Sequence, residues 1–246
     1  LVGDDTPLKQ KYQQMVENAP TEAEVRELEL KQAEHERLLA LGSFLRARGA
    51  RYERCTLQNY RTHTKSQQAV RDAILGFSED MALHVKQGDG VILLGPAGTG
   101  KDHLLVGLAR VAIMKCRFTF SGSRRNPVQW TNGADLFASV RDAIKNEDEN
   151  RVVNGYIQDP ILVISDPTPV TGAITEFQAN TLYRIIDGRY SRCKPTWVSF
   201  NVGSRQEAEE KLGVQVVDRL AHNSLVLQCD WPSYRRNASY GSENRR

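Results

Sequence analysis

The sequence predicts an α/β fold in which a parallel sheet lies between two layers of helices. Three observations predict it. Short continuous apolar runs, Val91–Leu94 and Ile161–Ile164, read as strands buried on both faces. Stretches with helical periodicity separate them. A glycine-rich loop joins the first run to the helix that follows it.

Residues 1–20 are polar and carry two prolines, and they read as a lead-in. Thr21-x-x-Glu24 is a capping box, and a highly charged helix follows to about Arg48, where Gly49 stops it. Its apolar positions Val25, Leu28, Leu38, Leu41 and Leu45 make an incomplete stripe, which fits either a solvated arm or a helix paired with a partner. Arg51–Lys65 reads as an irregular linker. Ser66 caps the next helix, whose apolar face is Ala69, Val70, Ala73, Ile74, Phe77 and Met81. After the turn Gln87–Gly90 and the first strand comes a helix over Lys101–Met114. Arg117–Phe120 and Val128–Trp130 read as strands about a turn, and Ala134–Lys145 as an amphipathic helix. The strand Ile161–Ile164 leads through a proline-rich loop to a helix over Thr175–Ile186. Thr196–Phe200 is a strand, Ser204 caps a helix to Leu212, and Ser224–Cys229 is the last strand. Residues 1–50 are assigned to a helical, partner-docking arm and 51–246 to the core with a short C-terminal lid.

Gly95–Lys101 fits G-x-x-x-x-G-K, a loop whose backbone N–H groups wrap a polyphosphate. Gly98 and Gly100 permit the tight curl, and the helix opening at Lys101 turns its positive end toward the phosphates. Lys101 neutralises the β- and γ-phosphates. The nucleotide-binding stretch is Gly95, Pro96, Ala97, Gly98, Thr99, Gly100, Lys101, Asp102 and His103, and the expected cofactors are ATP and Mg²⁺. Asp102 stands where a Ser or Thr is usual, and the strand Ile161–Ile164 ends in Ser165-Asp166 rather than in two acids. These two departures read as one exchange: Asp102, Ser165 and Asp166 are the metal-side groups, with Asp166 orienting the attacking water. The opposing reading keeps ATP binding and loses hydrolysis.

Taken in order, RYERCTLQNY, GPAGTGKDHLL, ILVISDP, IIDGRYSRCKPTWVSFN, VVDRL and DWPSYR resemble the bacterial DnaC-type replicative helicase loaders and the related IstB-type transposition ATPases. The resemblance runs from about Tyr52 to Arg235. It implies a AAA+ core with a P-loop and an αβα sandwich, and an ATPase with atypical metal-side residues. It also implies roles: Asn201 as the sensor on the γ-phosphate side, Arg219 as the arginine finger reaching a neighbour's ATP, Arg235 as the second sensor, and Gln58, Asn59 and Tyr60 beside the adenine. Both families usually carry a glycine shortly after the acidic pair; here Pro167 and Pro169 stiffen that loop. The arm has no zinc-ligand set, which excludes a zinc-bearing helicase-binding domain.

Net charge is +3, from 33 basic and 30 acidic residues, too small a balance to argue for nucleic acid. The four cysteines are far apart in sequence, which excludes a Cys-x-x-Cys metal knuckle and fits thiols in a reducing cytoplasm. No membrane span or secretion signal is read, and the chain opens on Leu1, so its start is read as trimmed. The resemblance implies a homo-oligomer formed on ATP binding, with a replicative helicase docked through residues 21–48. Single-stranded DNA is the expected nucleic-acid partner, with Arg124, Arg125, Arg141 and Lys145 as contacts and Trp130 or Phe137 as stacking groups, although both aromatics fit the core better. A transposition helper on duplex DNA and a nucleotide-sensing adaptor without turnover are the alternatives.

Overall fold

The computed structural model describes residues 21–118, 126–169 and 171–235. Contacts separate residues 21–39 from a second unit that begins at Ala40. In the first unit the predicted capping box opens helix α1 (Glu22–Arg48): Thr21 N donates to Glu24 Oε2 at 2.8 Å, and Glu24 N donates to Thr21 Oγ1 at 3.3 Å. Leu28 and Leu30 are exposed there, and Glu27–Lys31 makes an exposed i,i+4 pair at 2.6 Å. Such a pair stabilises a helix by only a few tenths of a kcal/mol.

The second unit takes in the last turns of α1, where Ala40 and Phe44 are buried. Helix α2 (Lys65–Glu79) is capped by Thr64, two residues earlier than Ser66. The reason is reciprocal bonding. Thr64 has Gln67 three residues on, whose side chain accepts from Thr64 N at 3.0 Å, whereas Ser66 has only Ala69 there. Asp80 separates α2 from a short α3 (Met81–Gln87), so Met81 opens a new helix instead of extending the old one.

Strand β1 (Gly90–Leu94), helix α4 (Lys101–Lys115), strand β2 (Val128–Asn132) and helix α5 (Gly133–Lys145) follow. Arg117 and Phe118 lie outside any strand, and the remainder of that expected strand, with Arg124 and Arg125, falls outside the described residues. Helix α6 (Glu149–Gln158) is additional to the sequence reading. Asn150, Asn154 and Gly155 weaken it as an isolated helix. Burial of Val153, Tyr156 and Ile157, and bonds from Arg184 to Glu149 and Asn150, hold it in place. Strand β3 (Ile161–Ser165), helix α7 (Glu176–Tyr190), strand β4 (Thr196–Phe200), helices α8 (Arg205–Leu212) and α9 (Val214–Ala221), and strand β5 (Ser224–Gln228) complete the unit.

All five strands are parallel, in the order β2-β3-β4-β1-β5. Val91 and Leu93 pack into one helical layer and Ile92 and Leu94 into the other, which is why β1 is apolar throughout. Register places Leu94 beside Phe200, and Ser165 beside Ser199. The residues that follow these strands therefore share one edge of the sheet, where α/β folds bind ligands.

At the opposite edge, Arg189 near the end of α7 is fully buried. Its guanidinium donates to the carbonyls of Tyr156 at 2.6 Å, Asp159 at 2.8 Å and Pro195 at 2.7 Å, and to Thr196 Oγ1 at 3.0 Å. One side chain thus satisfies the open carbonyls at the end of α6 and ties them to the start of β4. No helix among the described residues is long and apolar enough to cross a membrane.

Candidate functional site

The glycine loop leaves β1 at the ligand edge of the sheet and opens α4. Gly98 and Gly100 both take φ of +87°, the left-handed curl expected of them. The loop is pinned from two distant segments. Thr99 O accepts from Tyr60 Oη at 3.0 Å and from Trp231 Nε1 at 2.8 Å, and Gly98 O accepts from Tyr234 N at 2.9 Å. Burial raises the Tyr60 phenol above its ordinary range, keeping it a donor.

Lys101 is buried, and its ammonium donates to Gly95 O and Pro96 O, both at 2.7 Å, and to Asn201 Oδ1 at 3.0 Å. Burial lowers the Lys101 pKa, while Asp102 and Asp166 pull the other way. Asn201, directly after β4, donates through Nδ2 to Asp166 Oδ2 at 2.5 Å. Asp166 has φ +50°, a conformation that Asp tolerates better than most residues. Its amide donates to Ser199 O at 2.8 Å and its carboxylate accepts from Thr168 Oγ1 at 2.6 Å. The turn passes so close to Gly133 that a Cβ there would stand 2.6 Å from Pro167 Cα.

Asp102 and Ser165 are in contact. Ser165 Oγ lies 3.0 and 3.1 Å from the two Asp102 carboxylate oxygens. Ser199 Oγ donates to the same carboxylate at 3.0 Å and Tyr52 Oη at 3.4 Å. The Arg48 guanidinium stacks over Tyr52 and, at 4.3 Å, over Trp130. A carboxylate with two flanking hydroxyls is a set of hard oxygens of the kind Mg²⁺ accepts, so these residues fit that ion.

His103 Nε2 lies 2.9 Å from Thr56 O and 3.0 Å from Asn59 Oδ1, both acceptors, so this nitrogen carries the proton. That bond brings the 56–60 turn onto α4. Asn59, Tyr60, Lys101, Asp102, Asp166 and Asn201 line a cleft of about 660 Å³, with Ala97, Arg51, Arg54 and Arg235 on its walls. The size suits a nucleotide-sized ligand.

Arg219 stands apart from this cleft. It is on α9, donates to Asp187 Oδ1 at 2.9 Å and Tyr183 Oη at 3.3 Å, and stacks on the Tyr183 ring. Arg141 lies over Phe177, and Lys145 pairs with Asp142. Phe137 is buried and Trp130 is covered by Arg48 and Phe44, so both aromatics serve the core. Sequence reasoning missed Ser199, Tyr52, Trp231 and Gly133. Tyr52, Ser199 and Trp231 lie inside the segments RYERCTLQNY, IIDGRYSRCKPTWVSFN and DWPSYR, which was their only signal; Gly133 carried none.

A glycine loop at the edge of a parallel sheet, with its lysine held by a strand-end asparagine, defines an ATP-binding protein of the P-loop AAA+ class. The chain belongs to the IstB-like ATP binding protein family, whose pattern matches residues 58–242. Among sequence relatives, an insertion sequence IS232 ATP-binding protein of Bacillus thuringiensis subsp. berliner is 26% identical over 65% of this chain and 61% of its own length. An insertion sequence IS5376 ATP-binding protein of Geobacillus stearothermophilus is 21% identical over 61% of this chain and 57% of its own length. The chain therefore spans about three fifths of these relatives. In fold it is similar to the DnaC helicase loader, with a TM-score of 0.62 at 21% identity over 73% of this chain and 99% of that one. AMPPCP-bound DnaA from Aquifex aeolicus gives a TM-score of 0.57 at 17% identity, over 73% of this chain and 51% of that one.

Proposed function

We propose that this protein is an ATP-driven DNA-assembly factor that loads or recruits a replicative helicase. The bond pair from Lys101 through Asn201 to Asp166 carries the reading, because one side chain couples the phosphate-neutralising lysine to the acid that orients water. Lys101 and the loop amides hold the phosphates, with Asp102, Ser165 and Asp166 on the Mg²⁺ side. A bound Mg²⁺ supplies charge neutralisation to the phosphates. Asp166 accepts a hydrogen bond from the attacking water, and Arg235, which lines the cleft, serves as the second sensor. Asn59 and Tyr60 flank the base. Arg219 acts in a neighbouring copy's site, which makes turnover depend on assembly. The helicase docks on residues 21–48, and single-stranded DNA is the assembly template.

The test is ATP turnover and co-sedimentation with single-stranded and duplex DNA, using the full chain and Arg219→Ala. We expect single strands to stimulate turnover, and Arg219→Ala to remove that stimulation while ATP binding persists. Stimulation that survives the substitution overturns the shared-site reading. A second reading, a transposition helper, is favoured by the insertion-sequence relatives; it calls for duplex DNA as the preferred template.

A further inference from the structure

We propose that Arg48 and Tyr52 form a latch that ties the end of α1 to Asp102, and that the latch lets go when nucleotide with its cation claims that carboxylate. The inference rests on the ATP reading above and adds a control of α1 by that site.

The joint is a stack of side chains. Phe44 and Arg48, one turn apart on α1, both lie against Trp130 of β2. The Phe44 and Trp130 ring centroids are 6.2 Å apart, and the Arg48 guanidinium stands 4.3 Å from the Trp130 ring. Its other partner is the Tyr52 ring, at 5.2 Å. Gly49, at φ +86°, ends α1 and turns the chain back, and Tyr52 N donates to Gly49 O at 2.9 Å. From there Tyr52 Oη donates to Asp102 Oδ2 at 3.4 Å. A chain of contacts thus runs from the last turn of α1 to a carboxylate of the cleft.

This joint is held weakly. Among the described residues, Arg48 Nε and Trp130 Nε1 are buried without a hydrogen-bond partner, which is a cost to the closed arrangement. Burial lowers the Arg48 pKa, while Tyr52, Asp102 and Asp135 favour its charged form. Stacking and the field of the carboxylates therefore hold Arg48 in place. A divalent cation on Asp102 neutralises one of those carboxylates and takes the oxygen that Tyr52 uses. Arg48 and Tyr52 lose their anchor together, and the end of α1 loosens. The coupling runs both ways: whatever holds the end of α1 closed weakens nucleotide binding by the same factor.

The experiment is hydrogen–deuterium exchange on the full chain, read by mass spectrometry, without ligand and with MgCl₂ plus a non-hydrolysable ATP analogue. Peptides over residues 40–52 report the latch, and peptides over residues 95–104 report nucleotide capture. We expect the analogue to protect 95–104 and to speed exchange over 40–52 by about fivefold, the effect of losing one hydrogen bond from the joint. Arg48→Gln should show the raised rate over 40–52 without ligand, and no further rise when the analogue protects 95–104. An unaltered protein in which exchange over 40–52 stays level or slows, as it would if Arg48 were drawn to the phosphates, while 95–104 is protected overturns the latch alone. No protection over 95–104 overturns the ATP reading, and this proposal with it.

Discussion

Asn201 accepts a hydrogen bond from the Lys101 ammonium at 3.0 Å across 100 residues of sequence. The same amide holds Asp166 through its other end. This arrangement separates two tasks. On the proposed reading Lys101 meets phosphate directly, whereas Asn201 aligns lysine and acid. Lys101→Ala should therefore abolish ATP binding. Asn201→Ala should keep affinity within about threefold and lower turnover by about a hundredfold, as loss of one preorganised polar group does. Binding titrations and steady-state turnover on both variants check this. A parallel loss of affinity in both would sink the division of labour.

Gly133 leaves room for the acid-bearing turn. A methyl group there would stand 2.6 Å from Pro167 Cα and 2.8 Å from Asp166 O, both backbone atoms that cannot rotate away. Gly133→Ala should cost about 1–3 kcal/mol of stability and displace Asp166. Turnover should fall while ATP affinity holds, because the loop at Lys101 is untouched. Urea unfolding and turnover give the two readouts, and unchanged values of both would refute the argument.

Arg189 is a stability residue. Burial lowers its pKa to about 9, yet every donor direction meets an oxygen, so the cation is kept by its partners. Arg189→Met strands several buried carbonyls and should cost about 3 kcal/mol or more. Arg189→Lys keeps the charge but cannot reach both α6 and β4, so it should rescue only part of the loss. A urea midpoint barely moved by Arg189→Met would contradict the stapling role.

His103 predicts an acid sensitivity. Burial holds its imidazole below the ordinary 6.5, and the bond to Thr56 offsets this in part. Above pH 6.5 the ring is neutral in the folded and unfolded chains, and stability is full. As pH falls below that value the unfolded chain takes up a proton that the folded chain resists, so stability declines until the folded ring titrates in turn. Unfolding midpoints at about pH 7.5 and about pH 5.5 should fall further for the unaltered protein than for His103→Gln. Equal declines would remove His103 as the cause.

The strands and the glycine loop were legible because their signals are local. Val91–Leu94 and Ile161–Ile164 announce two-sided burial by being apolar at every position. The pairing of Asp102 with Ser165 could be anticipated because each breaks a pattern. Helix α6 was not legible, since its asparagines and glycine speak against a helix and contacts with α5 and α7 hold it. Ser199 sat unnoticed inside a strand, between the apolar Val198 and Phe200. Its role follows from the register that sets it beside Ser165, and register is a property of the sheet, not of the segment. Gly133 gave no signal because the atoms it makes room for lie more than thirty residues downstream.

Thr99 O is held at once by Tyr60 and by Trp231, and Gly98 O by Tyr234. During synthesis these partners emerge far apart in time. A nascent chain that already displays the whole glycine loop still lacks two of the three donors that fix its shape. Until Trp231 and Tyr234 have cleared the ribosome, the loop lacks the bonds they donate to Thr99 O and Gly98 O.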